Sequence, residues 1–509
     1  MRRLYKAKFV SGRGSAASAA STDAVDHLSR LPRFYLLTNH RNHAVEVVAL
    51  SFASLHGLIH LIMLAACSFL VAGLCVATSV RAAPASTAAA TTNPLPDTIG
   101  RNVGPYSPYY NAGTYVAAPV GCVIDQVNIL QRHGARYPTS SAGKKIAASV
   151  AKLKKAKSLG SSLAFVSDYT YALGADDLTP LGAEQSREAG YLAAQRYGSL
   201  LHSTTALPFV RSDSSQRVVD SARNWTAGFF SYRKRSADSV NVLVINGAAG
   251  SNDTLDDNNC NIAPDLSSFE NAWLAHFAAG ATARLNAAAP GTNLTNADTL
   301  NFMELCAFDS EYYGSVSPWC ALFTTQEWND LEYYFDLDKY YGNGYGNPLG
   351  PVQGVGYVNE LLSRLTGNIT YTNLDATQVN HTLDSNPTTF PLDKSVYFDA
   401  SHDNQITSIL SAIGLKNGPA LPASGPPAGQ VWVTSQIVPF SGRLVTERLT
   451  CSGTRYVRFF INDQLQIPSF CKDYDSTTGL CSVSNFVASQ GYARNNGRGD
   501  WQKCGYTPM

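Results

Sequence analysis

The spacing of apolar positions changes along this chain, and each change marks an element. Val123 to Leu130 is rich in β-branched and aliphatic residues, which predicts one buried strand. Gly143 to Leu159 instead places Ile146, Val150 and Leu153 at helical spacing with lysines between them. Thr179-Pro180 reads as an N-cap followed by proline at the first helical position, opening a helix to about Tyr197. Leu207 to Arg211 predicts a second short strand, followed by a helix from about Ser215 to Tyr232, and Asn241 to Ile245 predicts another buried strand. A long alanine-rich helix from Ser268 to Ala289 begins a helical stretch that runs to Leu365, broken by the glycine-rich Tyr341 to Tyr357. Strand character returns at Ser395 to Asp399 and helix at Asn404 to Ile413. Arg443 to Cys451, Tyr456 to Ile461 and Gln464 to Ile467, with a turn at Asn462-Asp463, complete a sheet.

Strands gather at the two ends and helices in the middle. The predicted class is therefore α/β, a parallel-rich sheet flanked by helices with an inserted, mostly helical domain. The α/β part is expected at about 98–142, 205–262 and 376–509, and the helical part at about 143–204 and 263–375. Residues 84–97 read as an Ala/Thr/Pro-rich linker, and residues 1–83 stand apart from the folded chain.

That first stretch changes the picture of where the protein works. A basic beginning precedes an uncharged segment from Val47 to Val80, most apolar at Leu58 to Ala77, and Val80-Arg81-Ala82 offers small residues for a signal peptidase. The expectation is a cleaved secretory signal and an extracellular protein. The polar lead-in is longer than a signal of ~15–30 residues provides. Either translation starts downstream, or residues 58–80 stay uncleaved as a membrane anchor, being nearly long enough to span a bilayer.

Charge bears on the partners, and the cysteines agree with an extracellular life. Residues 1–83 hold nine of the 39 Lys and Arg but three of the 38 Asp and Glu, which leaves the remainder acidic by five charges. No basic stripe exists, which argues against nucleic acid as a partner. An acidic protein that binds an anion must concentrate positive charge inside its site. Outside the apolar segment eight cysteines remain, at 122, 260, 306, 320, 451, 471, 481 and 504, without Cys-x-x-Cys spacing. They read as disulfides in an oxidising compartment, with too many pairings for the sequence to choose among. Five sequons, at Asn224, Asn252, Asn293, Asn368 and Asn380, fit a glycoprotein.

The candidate chemistry lies in Leu130-Gln131-Arg132-His133-Gly134-Ala135-Arg136-Tyr137-Pro138. It places His133 on a strand-to-helix turn at the carboxyl end of a strand, where α/β folds put their ligands. Two arginines flank the histidine, and the following helix points its positive end at the same spot. That set suits a dianionic phosphate and a nitrogen nucleophile. Metals and cofactors are not expected. Beyond the N-terminal five, the histidines at 133, 202, 276, 381 and 402 include no His-x-His or His-Glu-x-x-His pair. No phosphate-binding Gly-x-x-x-x-Gly-Lys-Ser/Thr loop is present, and the glycines from Gly342 to Gly346 lack the strand–helix setting of a dinucleotide site.

The order Arg-His-Gly-x-Arg-x-Pro after a strand resembles the signature of the histidine acid phosphatases, and residues 95 to 509 look most like the secreted fungal phytases. The resemblance implies a phosphoglycerate-mutase-like sheet and a phosphohistidine at His133. It implies that Arg132, Arg136, Arg211 and His402 bind the phosphate, and that Asp403 donates a proton to the leaving alcohol. Tyr106 and Lys339 would meet outer phosphates of phytate, myo-inositol hexakisphosphate. A lysine present in some relatives is replaced here by Ala142. The implied disulfides are Cys122–Cys451, Cys260–Cys504, Cys306–Cys320 and Cys471–Cys481.

The expected function is thus a secreted, monomeric phytase with an acid optimum, taking phytate and other phosphate monoesters. The alternatives are a broad-specificity histidine acid phosphatase with the same chemistry and an inactive cell-surface binding protein that keeps the fold. A sugar-phosphate mutase shares Arg-His-Gly, but it is usually cytosolic and needs no disulfides.

Overall fold

A computed structural model describes residues 93–203, 206–234, 236, 240–248, 251–256, 260 and 263–505. The basic stretch and the apolar segment with its expected cleavage site lie outside the described residues. The described residues belong to one compact unit spanning 83–509.

The strand expected at Val123–Leu130 is β1 (Cys122–Arg132), whose last seven residues are buried. Its side chains divide by the two-residue period of a strand. Val127 and Ile129 enter one hydrophobic cluster, and Leu130 enters the other on the opposite face. The remaining strands are β2 (Phe209–Ser212), β3 (Leu243–Val244), β4 (Val396–Ser401), β5 (Arg443–Cys451), β6 (Thr454–Ile461), β7 (Gln464–Gln466) and β8 (Cys481–Ser482). They form one sheet in the order β3-β2-β4-β1-β5-β6-β7, with β8 on β6.

The sheet is parallel only in part. β1, β4, β2 and β3 pair in parallel, while β5 to β8 run antiparallel. The antiparallel half follows from two tight turns, Ser452-Gly453 and Asn462-Asp463, each with two consecutive residues at positive φ. The strand expected to be buried at Asn241–Ile245 is also corrected. Only Leu243 and Val244 pair, at the sheet edge, and Val244 is 42% exposed.

One face carries α2 (Pro180–Tyr197), capped by the Thr179 hydroxyl, and α3 (Gln216–Tyr232). Both pack into the cluster built on Val127, Ile129 and Phe398. So α2 lies on the sheet and not in the helical part expected at 143–204. The two helices touch backbone to backbone. A Cβ at Gly190 would stand 1.9 Å from the Trp225 carbonyl oxygen, and one at Gly228 1.8 Å from that of Arg187. No side chain fits there.

The other face meets α1 (Ser140–Leu153), α4 (Ser268–Ala288), α5 (Asn296–Tyr313), α6 (Thr325–Gly342), α7 (Val355–Thr366) and α8 (Asp403–Ile413). Capping boxes at Thr295/Asp298 and Thr324/Glu327 open α5 and α6. All four disulfides implied by the resemblance are present. Cys122 and Cys451 are cross-strand partners, so their bridge ties the start of β1 to the end of β5. Among the sequons, Asn293 and Asn368 are exposed. The Asn224, Asn252 and Asn380 amides donate to backbone carbonyls. Among the described residues no helix is long and apolar enough to cross a membrane.

Candidate active site

Three parallel strands end side by side and deliver the site. β1 ends on Arg132 with His133 next, β4 ends just before His402, and Asp213 follows β2. The turn after β1 is pinned from several sides. His133 N donates to the Ser401 carbonyl at 3.1 Å, joining β1 to β4. Gly134 N donates to Ser221 Oγ at 3.0 Å, and Ala135 N donates to Gln185 Oε1 at 2.9 Å. Thr179 N donates to the Ala135 carbonyl at 2.9 Å. The start of α2 presses so close that a Cβ at Gly134 would stand 2.1 Å from the Gly182 carbonyl oxygen. This contact, and not a left-handed φ, requires glycine in the Arg-His-Gly turn.

His133 is 1% exposed. Its Nδ1 lies 2.9 Å from the Gly134 carbonyl oxygen, which can only accept. Nδ1 therefore carries the proton, and the lone pair sits on Nε2. Burial, then Arg132, Arg136, Arg217 and His402, hold its pKa well below the ordinary imidazole value, so the ring is neutral in acid.

The arginines are arranged to receive an anion. Arg132 is fully buried, donates to the Pro105 and Val438 carbonyls, and lies over the Phe440 ring at 4.6 Å. Burial lowers its pKa to about 10. The Nε–H groups of Arg132, Arg136 and Arg217 are buried without a partner among the described residues. Arg217 sits in the first turn of α3, and α8 starts at Asp403, so two helix N-termini add positive potential to the same place.

One residue expected here is elsewhere. Arg211 lies inside β2, in register with Asp399, and is 1% exposed. Its Nε reaches Asp399 Oδ1 at 2.8 Å, and its two Nη groups reach Glu360 at 3.1 and 2.5 Å. Arg364 completes the network on Asp399, at 2.5 Å. Arg211 thus spends Nε and both Nη groups on buried carboxylates, and Arg217, not Arg211, is the third arginine whose charge acts on His133. The sequence held a signal for this. Arg217 follows β2 and stands in the first turn of the next helix, whose positive end faces the carboxyl end of the strand.

His402 is 6% exposed, and its Nε2 stands 3.0 Å from Asp213 Oδ2. Asp403 Oδ2 lies 3.2 Å from Arg132 Nη2 and 3.2 Å from Lys339 Nζ. Burial alone would raise its pKa, but Arg132 and Lys339, with Arg136, hold it well below the carboxylate range. Lys339 also donates to Asn404 Oδ1 at 2.7 Å and pairs with Asp338 at 3.3 Å. It is committed to the acid and not extended toward a distant phosphate. Tyr106 forms a wall, its ring packed on Phe308 at 4.6 Å and Phe335 at 5.2 Å with Arg136 above it at 6.0 Å. Glu311 of α5 was not foreseen; burial pushes its carboxyl well up despite the nearby Arg132 and Arg136.

Two groupings have metal-like spacing among the described residues. Cys471 and Cys481 are bonded to each other beside Asp473. In the trio Asp213, Asp256 and His402, the histidine nitrogen is hydrogen-bonded to Asp213.

Residues 123–462 match the model of the histidine phosphatase superfamily, branch 2. Phytase A of Aspergillus awamori is 38% identical over 428 residues, covering 79% of this chain and 89% of that protein. Phytase A of Penicillium oxalicum is 36% identical over 434 residues, covering 79% and 91%. The crystal structure of the phytase from D. castellii superposes with a TM-score of 0.66 at 25% identity, covering 81% of this chain and 88% of that one. A Bifidobacterium longum multiple inositol polyphosphate phosphatase, in complex with inositol hexasulfate, shares the fold at 13% identity with a TM-score of 0.54, covering 75% and 96%.

The two arginines make opposite predictions. Arg217→Gln should leave thermal unfolding near that of the parent and lower kcat/KM by about 10²-fold or more, as when one transition-state donor is lost. Arg211→Gln should cost roughly 3–5 kcal/mol of stability, because Asp399 and Glu360 lose a buried partner. Unfolding midpoints and steady-state kinetics of both variants check this; the reverse pattern would show the roles to be exchanged.

Proposed function

This chain belongs to the histidine phosphatase superfamily, branch 2, and from that premise we propose that it is a secreted phytase working through a phosphohistidine at His133. The observation that carries the chemistry is the His133 Nδ1 contact with the Gly134 carbonyl, which leaves the lone pair on Nε2 of a ring that three arginines hold neutral. Nε2 attacks phosphorus while the ester oxygen departs. The developing charge on the phosphoryl oxygens meets Arg132, Arg136 and Arg217. Water then attacks phosphorus, the P–N bond breaks with its electron pair returning to Nε2, and inorganic phosphate is released.

Asp403 supplies the proton to the departing oxygen and takes one from the attacking water. In the free enzyme it is ionised, because Arg132 and Lys339 both face it. An anionic phosphoryl group draws on the same Arg132 and offsets its charge, so the Asp403 pKa rises as substrate binds. Asp403 thus takes its proton from solvent as substrate binds, and acid favours that uptake.

The relatives named phytase support phytate as substrate. One observation favours a broader range. Lys339 is spent on Asp403, and Ala142 leaves Lys144 and Lys145 as the cations at the start of α1 for outer phosphates. The ratio of phytate to aryl phosphate turnover separates these readings.

Asp403→Asn should slow turnover of phytate, whose alkoxide leaves poorly, by roughly 10²–10⁴-fold. Nitrophenyl phosphate, whose phenolate needs little help, should be much less affected. Equal losses for both would remove Asp403 from the acid role.

The pH profile should peak at about pH 4–6. Lys339→Met removes a cation from beside Asp403, so the Asp403 pKa rises and the carboxyl keeps its proton to higher pH. The upper limb of kcat for phytate should move upward, while that for nitrophenyl phosphate stays. A change in phytate KM alone, with the limb fixed, would instead make Lys339 a contact for an outer phosphate.

A further inference from the structure

The backbone of His402 is fixed but its ring is not. The residue takes extended angles at the N-cap of α8, and its carbonyl accepts from Ile406 N at 3.1 Å. Rotation about Cβ–Cγ by roughly half a turn would still exchange the nitrogen edges for carbon edges. Two side chains remove that freedom. Asp213 Oδ2 stands 3.0 Å from Nε2, and Arg217 Nη2 stands 3.4 Å from Nδ1. A carboxylate can only accept and a guanidinium can only donate. Together they leave one assignment, with the proton on Nε2 and the lone pair on Nδ1.

Asp213 is itself immobile. Its side chain is 2% exposed, and its Oδ2 also accepts from Ser215 N at 2.6 Å. Its backbone N donates to the Ala400 carbonyl, at 3.2 Å, on the strand that leads to His402. Burial would raise its pKa, but the bonds from His402 and Ser215 lower it, so it is a carboxylate. The charged and titratable groups around the pair are Arg217 of α3, His133 of the signature turn, and Asp253 and Asp256 of the segment after β3.

We propose that Asp213 is a positioning residue for the phosphate site: by holding His402 at Nε2 it commits Nδ1, beside Arg217, to an oxygen of the bound phosphoryl group. This rests on the reading of His402 as a phosphate ligand. The proton count closes without another group. Below its second ionisation, at about pH 6, a phosphate monoester carries one P–O–H. That proton is donated to Nδ1 on binding, the oxygen becomes anionic, and Asp213 balances the imidazolium. His402 so held selects the monoanion, the form that predominates in acid.

The test is a double-mutant cycle read by competitive inhibition with inorganic phosphate, together with ¹⁵N NMR of the His402 side chain. Asp213→Asn keeps the shape but removes the charge and adds donors. It should raise the inhibition constant about tenfold and abolish the single Nε2–H form of His402. Asp213→Ser carries the same expectation with a smaller side chain, should the amide impair folding. In a His402→Ala background either change should add nothing, because its effect passes through the ring. An unchanged inhibition constant in the Asp213 variants, or an added loss in the double variants, overturns the proposal. If His402→Ala alone leaves phosphate inhibition unchanged, His402 is not a ligand, and that reading falls separately.

Discussion

Three guanidinium groups must be held around one neutral imidazole, and the rest of the structure answers that constraint. Like charges at such range repel, and burial removes the solvent that would screen them. Arg132 shows the strain in its pKa, lowered to about 10 by burial, and His133 in its loss of basicity. The same repulsion is what the site uses. It keeps His133 unprotonated in acid and leaves three buried Nε–H groups without a partner among the described residues. Asp403 and Asp213 offset part of the charge, one beside Arg132 and the other beside His402.

Holding that arrangement requires a rigid frame. The strand ends carry the reacting residues, and β1, paired on both edges, has no freedom to shift. Beneath the site Arg211, Arg364, Asp399 and Glu360 neutralise one another in the core. Such a network is weak evidence for stability, since desolvation offsets much of the attraction. Its effect here is to tie β2, β4 and α7 together. The glycine contacts between β1 and α2, and between α2 and α3, set the depth at which the signature turn sits.

What the sequence made legible was local. The Arg-His-Gly turn, the Thr179-Pro180 helix start and the Asn462-Asp463 turn each carry their reason within a few residues, and all three stand where the spacing put them. The four disulfide pairs came from the family resemblance, since cysteine spacing alone left them open. What failed was spatial. Arg211 and Arg217 are six positions apart, and only the end of β2 at Ser212 decides which one faces the ligand. Lys339 stands in the site as expected, but its partner Asp403 is distant in sequence and comes beside it only when α6 packs beside α8. Asp213 carried no signal, because an aspartate after a strand reads as a cap.

Trapping the intermediate tests the central claim most directly. Enzyme quenched in alkali and denaturant during turnover of an aryl phosphate, then digested and mapped by mass spectrometry, should carry phosphate on the peptide containing His133, attached at Nε2 and labile to acid. Phosphate on another residue, or none in a quench faster than turnover, would contradict the account.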